Sequence, residues 1–84
     1  MITRYAWGTV WTHPGLESRI RRLLVLAITA ALGRSEEFRL HVHTGLANEL
    51  ETVDLEEVLM QVAIYAGVPA ANSAFRIASD EGAR

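Results

Sequence analysis

Apolar side chains recur at helical spacing along most of this 84-residue chain, which predicts four α-helices. No strand pattern and no internal repeat interrupts that spacing. Gly33 and Gly67 are the expected helix ends, and His13-Pro14-Gly15 marks a turn near the start. The predicted helices cover about residues 16–32, 36–48, 55–66 and a segment that begins near Pro69. The predicted fold class is therefore all-α, a small antiparallel helical bundle in one domain of residues 1–84.

Three of the predicted helices carry an apolar stripe, and the fourth carries mainly small residues. The stripes are Ile20, Leu23, Leu24, Ala27 and Ala31 in the first helix, Phe38, Val42 and Leu46 in the second, and Leu55, Val58, Leu59, Val62 and Ala63 in the third. Small residues on the fourth helix permit close packing. The longest apolar run, residues 23–32, is shorter than the roughly 20 residues that span a bilayer, so it is predicted to be a buried helix. Ser35 is the predicted N-cap of the second helix.

Composition and charge add further expectations. Half of the residues are hydrophobic, and a single small core cannot easily bury so many apolar side chains. We therefore expect a homo-oligomer. The chain has no cysteine, which excludes disulfides and thiolate metal sites. A net charge of −2 without a basic stripe argues against a nucleic-acid partner. With no membrane span and no signal-peptide pattern at the start, a cytoplasmic protein is expected.

One stripe of the second predicted helix combines three ionisable groups. Glu37 and His41 are four residues apart and Arg34 precedes Glu37 by three, so they share a helix face next to Phe38 and Val42. Such a stripe predicts proton handling, with Glu37 setting the tautomer or pKa of His41. The alternative is a solvated ion pair on a surface helix. His43 is expected to face elsewhere, because two residues correspond to about 200° around a helix.

Basic and aromatic residues near the first helix offer candidate binding groups. Arg19, Arg21 and Arg22 form a basic cluster near a helix N-terminus, where positive charge opposes the helix dipole. We therefore expect at least one residue of this basic cluster to have a tertiary or ligand partner. Trp7 and Trp11 either line a pocket or act as packing anchors for the first segment.

Several short motifs follow one another in a defined order. They are residues 2–8 (ITRYAWG), 11–12 and 14–16 (WT, PGL), 26–27 and 31–34 (LA, ALGR), Glu37 with 40–42 (LHV), and 62–75 (VAIYAGVPAANSAF). In this order they resemble the carboxymuconolactone decarboxylase family, and most closely its branch acting on 4-carboxymuconolactone. The resemblance implies a helical fold like that of alkylhydroperoxidase D proteins, assembly into hexamers, and cofactor-free decarboxylation of 4-carboxymuconolactone to the β-ketoadipate enol-lactone in protocatechuate catabolism.

This chain departs from the family pattern at identifiable positions. The family usually has further helical sequence before the position of Ile2. His13 and His43 stand where the branch usually has Arg, and Asn48-Glu49 replaces an Asn-Gly turn. The cysteine pair of the peroxidase relatives falls on Arg34 and Glu37, so thiol peroxidase activity is not expected.

The resemblance gives the candidate residues specific roles. Glu37 and His41 are the predicted catalytic pair, and Arg21, Arg22 and Arg34 are suited to a lactone dicarboxylate. The unsaturated lactone itself accepts the electrons left by carbon dioxide, so no metal, pyridoxal or thiamine is predicted. Two alternatives stay open: a catalytically silent or truncated helical oligomer, and a related lactone or hydroperoxide enzyme without the thiol pair.

Overall fold

Four α-helices joined by short connections make up most of the chain in a computed structural model, which describes residues 11–82. They are α1 (Ser18–Leu32), α2 (Ser35–Asn48), α3 (Thr52–Ala66) and α4 (Val68–Asp80). Helix α1 packs against each of the other three, and α4 also packs against α2 and α3. The described residues contain no strand, so the all-α class is confirmed. Within the same residues, no helix has the length and apolar content needed to cross a membrane.

The helix ends follow local chemistry, with two differences from expectation. Gly33 ends α1 in the left-handed region, at φ 73°, as its lack of a Cβ permits. Helix α2 begins at Ser35 itself, and Arg34 takes the N-cap position without a capping side chain. Helix α3 begins at Thr52, earlier than predicted, because the carboxylate of Asp54 accepts a 2.9 Å hydrogen bond from the backbone N–H of Glu51 and closes the first turn.

The core lies where the four helices meet. Its buried apolar residues are Leu26, Ala30, Phe38, Val42, Leu50, Leu55, Leu59, Val62, Ala71, Ala74 and Ala78. The predicted stripes of the second and third helices therefore face the core as expected. Helix α4 buries only alanines, and their small side chains allow it to lie close to its neighbours.

Helix α1 is not the buried helix that its apolar run predicts. Leu26 and Thr29 are buried, whereas Leu24, Ile28 and Leu32 are 49%, 55% and 65% exposed. The run is apolar on every side, so spacing alone does not select the inward face. Thr29 is accommodated inside because its hydroxyl donates to a backbone carbonyl of its own helix at 2.7 Å. The result is a second apolar stripe, Leu24, Ile28 and Leu32, on the outside of the bundle.

Candidate active site

The candidate site is centred on a histidine that α2 buries in the bundle. His41 is only 3% exposed and lies beside the core residues Phe38 and Val42. Its Nε2 atom is 3.5 Å from Oε1 of Glu37, whose side chain is 49% exposed. The pair predicted from the i,i+4 spacing therefore exists, but only its carboxylate is solvated.

Arg22 reaches across from α1 to the other side of the ring. Its Nη1 lies 2.5 Å from Nδ1 of His41. A guanidinium is always protonated and offers only donors, so Nδ1 must be the acceptor. The hydrogen-bond network thus assigns the neutral ring its proton on Nε2, pointing at Glu37. Arg22 sets the tautomer, a role that the sequence analysis gave to Glu37.

Glu49 holds the same guanidinium from a second direction. Its Oε2 accepts a 3.1 Å hydrogen bond from Arg22 Nε, and its Oε1 accepts one of 3.3 Å from Ser18 Oγ. The side chains of Arg22 and Glu49 are 12% and 19% exposed, so this ion pair is largely shielded from solvent. Sequence reasoning missed Glu49 as a site residue. Two features of the sequence could have indicated it. Glu49 replaces the glycine of the usual Asn-Gly turn, and the basic cluster was expected to have a partner.

Trp11 covers this arrangement. Its ring stacks on the imidazole of His41, with centroids 6.0 Å apart and planes 14° from parallel. Arg22 Cζ lies 4.6 Å from the centroid of the same indole, which is within cation–π distance. Trp11 therefore touches both the ring and the cation, and of the two predicted tryptophans it is the one within the described residues. Trp7 lies outside them.

A glycine of α2 gives Arg22 room to reach the ring. A Cβ atom at Gly45 would lie 3.3 Å from Arg22 Cγ and 2.7 Å from Leu50 Cδ1. The second distance is closer than carbon atoms tolerate, so a larger residue would push the neighbouring side chains away. Gly45 thus permits the stem of Arg22 to run along α2 towards His41.

Burial and charge both keep His41 neutral. Burial lowers the pKa of His41 below its ordinary value of about 6.5, and the nearby Arg22 cation lowers it further. The carboxylates of Glu37 and Glu49 oppose this shift, but they do not reverse it. A neutral ring at pH 7 agrees with the tautomer that the Arg22 contact requires.

We expect the lowered pKa of His41 to make the protein less stable in mild acid. Because the folded-state pKa is the lower one, the unfolded state binds more protons below about pH 6.5, so stability rises with pH. The stability that depends on a neutral His41 is fully present above about pH 6.5. It is lost as the pH falls towards the folded-state pKa. A tenfold difference in proton affinity between the folded and unfolded states corresponds to about 1.4 kcal/mol in the free energy of unfolding.

Urea unfolding at pH 7.5 and pH 5.5 measures this loss. His41→Gln should show a smaller difference between the two pH values than the parent protein. His43→Gln, on the same helix with a 72% exposed side chain, should retain the parent difference. An identical pH dependence in the parent and His41→Gln would contradict the expectation.

The remaining predicted residues lie apart from the ring. Arg21 donates from Nη2 to the backbone oxygen of His13 at 2.9 Å. Arg34 is exposed at the start of α2 and makes no side-chain contact with His41 within residues 11–82. His43 points away, as expected, with Nδ1 3.6 Å from a carboxylate oxygen of Glu81. Of the three candidate arginines, only Arg22 contacts His41.

The basic cluster at the start of α1 has the tertiary partners that its position predicted. Arg19 pairs with Asp54 of α3 at 2.5 Å, and Arg22 pairs with Glu49. Both carboxylates lie near the connection between α2 and α3. These pairs confirm that the unfavourable helix-dipole position is offset by contacts elsewhere in the fold.

Two cavities in the described part of the chain lie away from His41. One of about 450 Å³ is lined by the start of α3 and the end of α4, including Glu56 and Arg76. Another of about 260 Å³ lies between α1 and α4 beside Thr29 and Ser73. At the candidate site, by contrast, Trp11 and Arg22 cover the imidazole, and the half-exposed Glu37 marks the side open to solvent.

Comparison with known proteins identifies the family. Residues 1–80 match the model of the carboxymuconolactone decarboxylase family. The chain belongs to that family, which confirms the resemblance seen in its motifs.

Two curated relatives are similar over part of their length. A 4-carboxymuconolactone decarboxylase from Acinetobacter baylyi is 39% identical over 79 residues, covering 94% of this chain and 59% of the relative. A nitrosuccinic acid decarboxylase from Metarhizium robertsii is 35% identical over 69 residues, covering 82% of this chain and 48% of the relative. The chain thus spans about half the length of these proteins. No solved structure matches it significantly.

Proposed function

We propose that the protein is a carboxy-lyase that converts 4-carboxymuconolactone to the β-ketoadipate enol-lactone without a cofactor. Similarity to a relative named for that substrate supports the reaction. The observation that carries the proposal is the arrangement at His41, with Arg22 on Nδ1 and the proton on Nε2 near the solvent-facing Glu37. This arrangement suits a reaction that requires delivery of a proton to carbon.

The reaction balances with the groups of the substrate and one proton. The bond between the ring carbon and the carboxylate breaks, and carbon dioxide leaves without the bonding electrons. That pair moves into the unsaturated lactone, which holds it as a dienolate. A proton added to carbon then gives the enol-lactone. The protein must therefore stabilise negative charge on the lactone oxygen and supply one proton.

His41 is the proposed proton donor, and Glu37 is its partner. The proton on Nε2 is the one that faces the half-exposed carboxylate, 3.5 Å away. Loss of this proton from the neutral ring leaves an imidazolate anion, which the positive charge of Arg22 at Nδ1 stabilises until the proton is replaced. Glu37 reaches solvent and returns a proton to the ring after each turnover.

Binding of the anionic substrate is assigned to Arg22 with Trp11, and to Arg21 and Arg34 at a greater distance. Arg22 uses Nε and Nη1 on Glu49 and His41, and Nη2 makes no hydrogen bond within residues 11–82. That nitrogen is available for a substrate carboxylate beside the ring. The indole of Trp11, which contacts both the cation and the imidazole, is placed to limit access of water.

A second candidate substrate class is a nitro-substituted dicarboxylic acid. It is favoured by the similarity to a nitrosuccinic acid decarboxylase. The chemistry is parallel, because a nitro group next to the carboxylate accepts the released electron pair and the carbon again takes up a proton. The same donor and the same cation would serve both substrates.

Turnover by the purified protein tests the proposal. Loss of the butenolide absorbance of 4-carboxymuconolactone, with release of one equivalent of carbon dioxide, is the expected result. Nitrosuccinate is assayed in parallel, since turnover of that acid alone would favour the second candidate. Failure to decarboxylate either compound would leave the catalytically silent oligomer as the better description.

We also propose that the chain functions as a homo-oligomer, by resemblance a hexamer. Large apolar side chains remain on the outside of the bundle in two groups. The first is the stripe on α1, Leu24, Ile28 and Leu32, and the second lies on α3 and comprises Met60, Ile64 and Tyr65, which are 51%, 69% and 83% exposed. Contiguous apolar surface of this kind commonly marks a protein contact.

Light scattering at micromolar concentration is expected to give a mass that is a multiple of the 9.3 kDa chain. Ile28→Glu should lower that mass while helicity is retained, because a charge buried in an apolar contact is costly. Ile28→Val keeps the contact apolar and is the control. A monodisperse monomer of the parent protein would contradict the proposal.

A further inference from the structure

We propose that Glu49 is a positioning residue, which holds the guanidinium of Arg22 against His41 and so keeps the ring proton on Nε2. The expected effect of Glu49 on turnover rests on the proposed decarboxylation. Its expected effect on the position of the ring proton does not. Glu49 contacts Arg22, which in turn contacts the ring, so Glu49 acts through Arg22.

Three contacts define the plane of the guanidinium. Glu49 accepts from Nε at 3.1 Å, His41 accepts from Nη1 at 2.5 Å, and the indole of Trp11 lies 4.6 Å from Cζ. Of these, the contact with Glu49 alone pairs opposite charges and is made largely out of solvent. Arginine has four rotatable side-chain bonds, so a second fixed point is needed before Nη1 points at one ring atom.

Glu49 is itself fixed by the fold. It lies just after α2, and Ser18 at the start of α1 donates a 3.3 Å hydrogen bond to its other oxygen. The same carboxylate therefore joins the helix that carries Arg22 to the end of the helix that carries His41. This connection makes the orientation of Arg22 a property of the folded chain before any substrate arrives.

Loss of the Glu49 acceptor has a defined consequence at the ring. A guanidinium without its carboxylate is drawn towards water, and His41 Nδ1 then loses its donor. Among the described residues, the charged groups that lie against the ring are then Glu37 at Nε2 and the released Arg22. Without a donor at Nδ1, the proton is free to occupy either nitrogen, and the fraction of rings with Nε2–H falls.

The test compares two neutral side chains of similar size, Glu49→Gln and Glu49→Met. Glutamine retains an acceptor oxygen for Arg22 Nε, and methionine does not. The readout is the tautomer of His41, measured by two-bond ¹⁵N–¹H correlation spectroscopy of the full chain at pH 7.5. Glu57→Gln and Glu57→Met, which change an exposed carboxylate of α3, are the matched controls.

We expect Nε2–H to dominate in the parent protein, in Glu49→Gln and in both controls, and to fall at least severalfold relative to Nδ1–H in Glu49→Met. Equal tautomer ratios in the two Glu49 variants would overturn the proposal, as would an Nδ1–H ring in the parent. If Glu49→Met does not fold, Ser18→Ala is measured instead, because it removes the hydrogen bond to Glu49 without changing a buried residue. An Nε2–H ring that is unchanged in Ser18→Ala but shifted in Glu49→Gln would also overturn the proposal.

Turnover separates this inference from the proposed function. Partners that orient functional histidines at metal centres typically contribute about 10–100-fold, and we expect a kcat loss of that order in Glu49→Met, with a smaller one in Glu49→Gln. A parent protein with the Nε2–H ring and no decarboxylase activity would reject the proposed function alone. A tautomer that does not respond to Glu49, in an active enzyme, would reject the positioning role alone.

Discussion

Replacing His41 with glutamine is expected to lower kcat for 4-carboxymuconolactone by about 10²–10⁴-fold, the usual contribution of general acid–base catalysis. Glutamine retains much of the shape of the side chain and a hydrogen-bonding N–H group, but that group is far too weak an acid to give its proton to carbon. The position is 3% exposed, so a substitution close in size limits damage to packing. Steady-state turnover, with helicity and particle mass confirmed, is the measurement.

His43→Gln is the matched control for this experiment. The same change is made two residues further along α2, where the side chain is 72% exposed and faces Glu81. It should leave turnover within a few-fold of the parent. If His41→Gln also decarboxylates the lactone within a few-fold of the parent, then the imidazole only fills space and forms hydrogen bonds. The donor would then be Glu37, His13, Tyr65 or a bound water.

Arg22→Ala is expected to damage both stability and activity. The sequence alone predicts that Arg22→Ala weakens substrate binding far more than it changes the fold. In the structure the same change leaves Glu49 without its counter-charge and His41 Nδ1 without a donor. Breaking a largely buried ion pair costs about 3 kcal/mol. In a chain of this size that corresponds to a fall in Tm of roughly 12–24 °C.

Thermal unfolding followed by circular dichroism measures this loss, at one protein concentration because assembly shifts Tm. Arg19→Ala is the control, since Arg19 lies on the same helix and also pairs with a carboxylate, but with a 43% exposed side chain. An ion pair whose cation is solvated is weaker, with exposed pairs worth about 0–1 kcal/mol, so the loss of Arg19 should shift Tm by less than the loss of Arg22. Equal shifts in the two variants would contradict the special role of Arg22.

Local patterns predicted part of the candidate site. The i,i+4 spacing correctly brought Glu37 and His41 to one face of α2, because a helix repeats every 3.6 residues whatever surrounds it. The same spacing included Arg34, but that residue lies at the N-cap with an exposed side chain. A position at a helix end does not follow helical periodicity, so the stripe was one residue shorter than predicted.

Contacts between distant parts of the chain were not available to that reasoning. Arg22 meets His41 from 19 residues away and Glu49 from 27 residues away. The unfavourable position of the basic cluster indicated that a partner existed, yet it did not identify the partner. Only the crossing of α1 over α2, made close by Gly45, decides that Arg22 and not Arg21 reaches the ring.

The sequence by itself determined the helical class, the approximate helix positions and the family, because periodicity, turn residues and ordered motifs are all local or linear properties of a chain. Only the tertiary structure decided which face of α1 is buried. The run is apolar on all sides, so its sequence pattern is compatible with several buried faces. The tertiary structure also decided the tautomer of His41. A proton is placed by whichever donors and acceptors surround the ring, and here the decisive one, Arg22, comes from another helix.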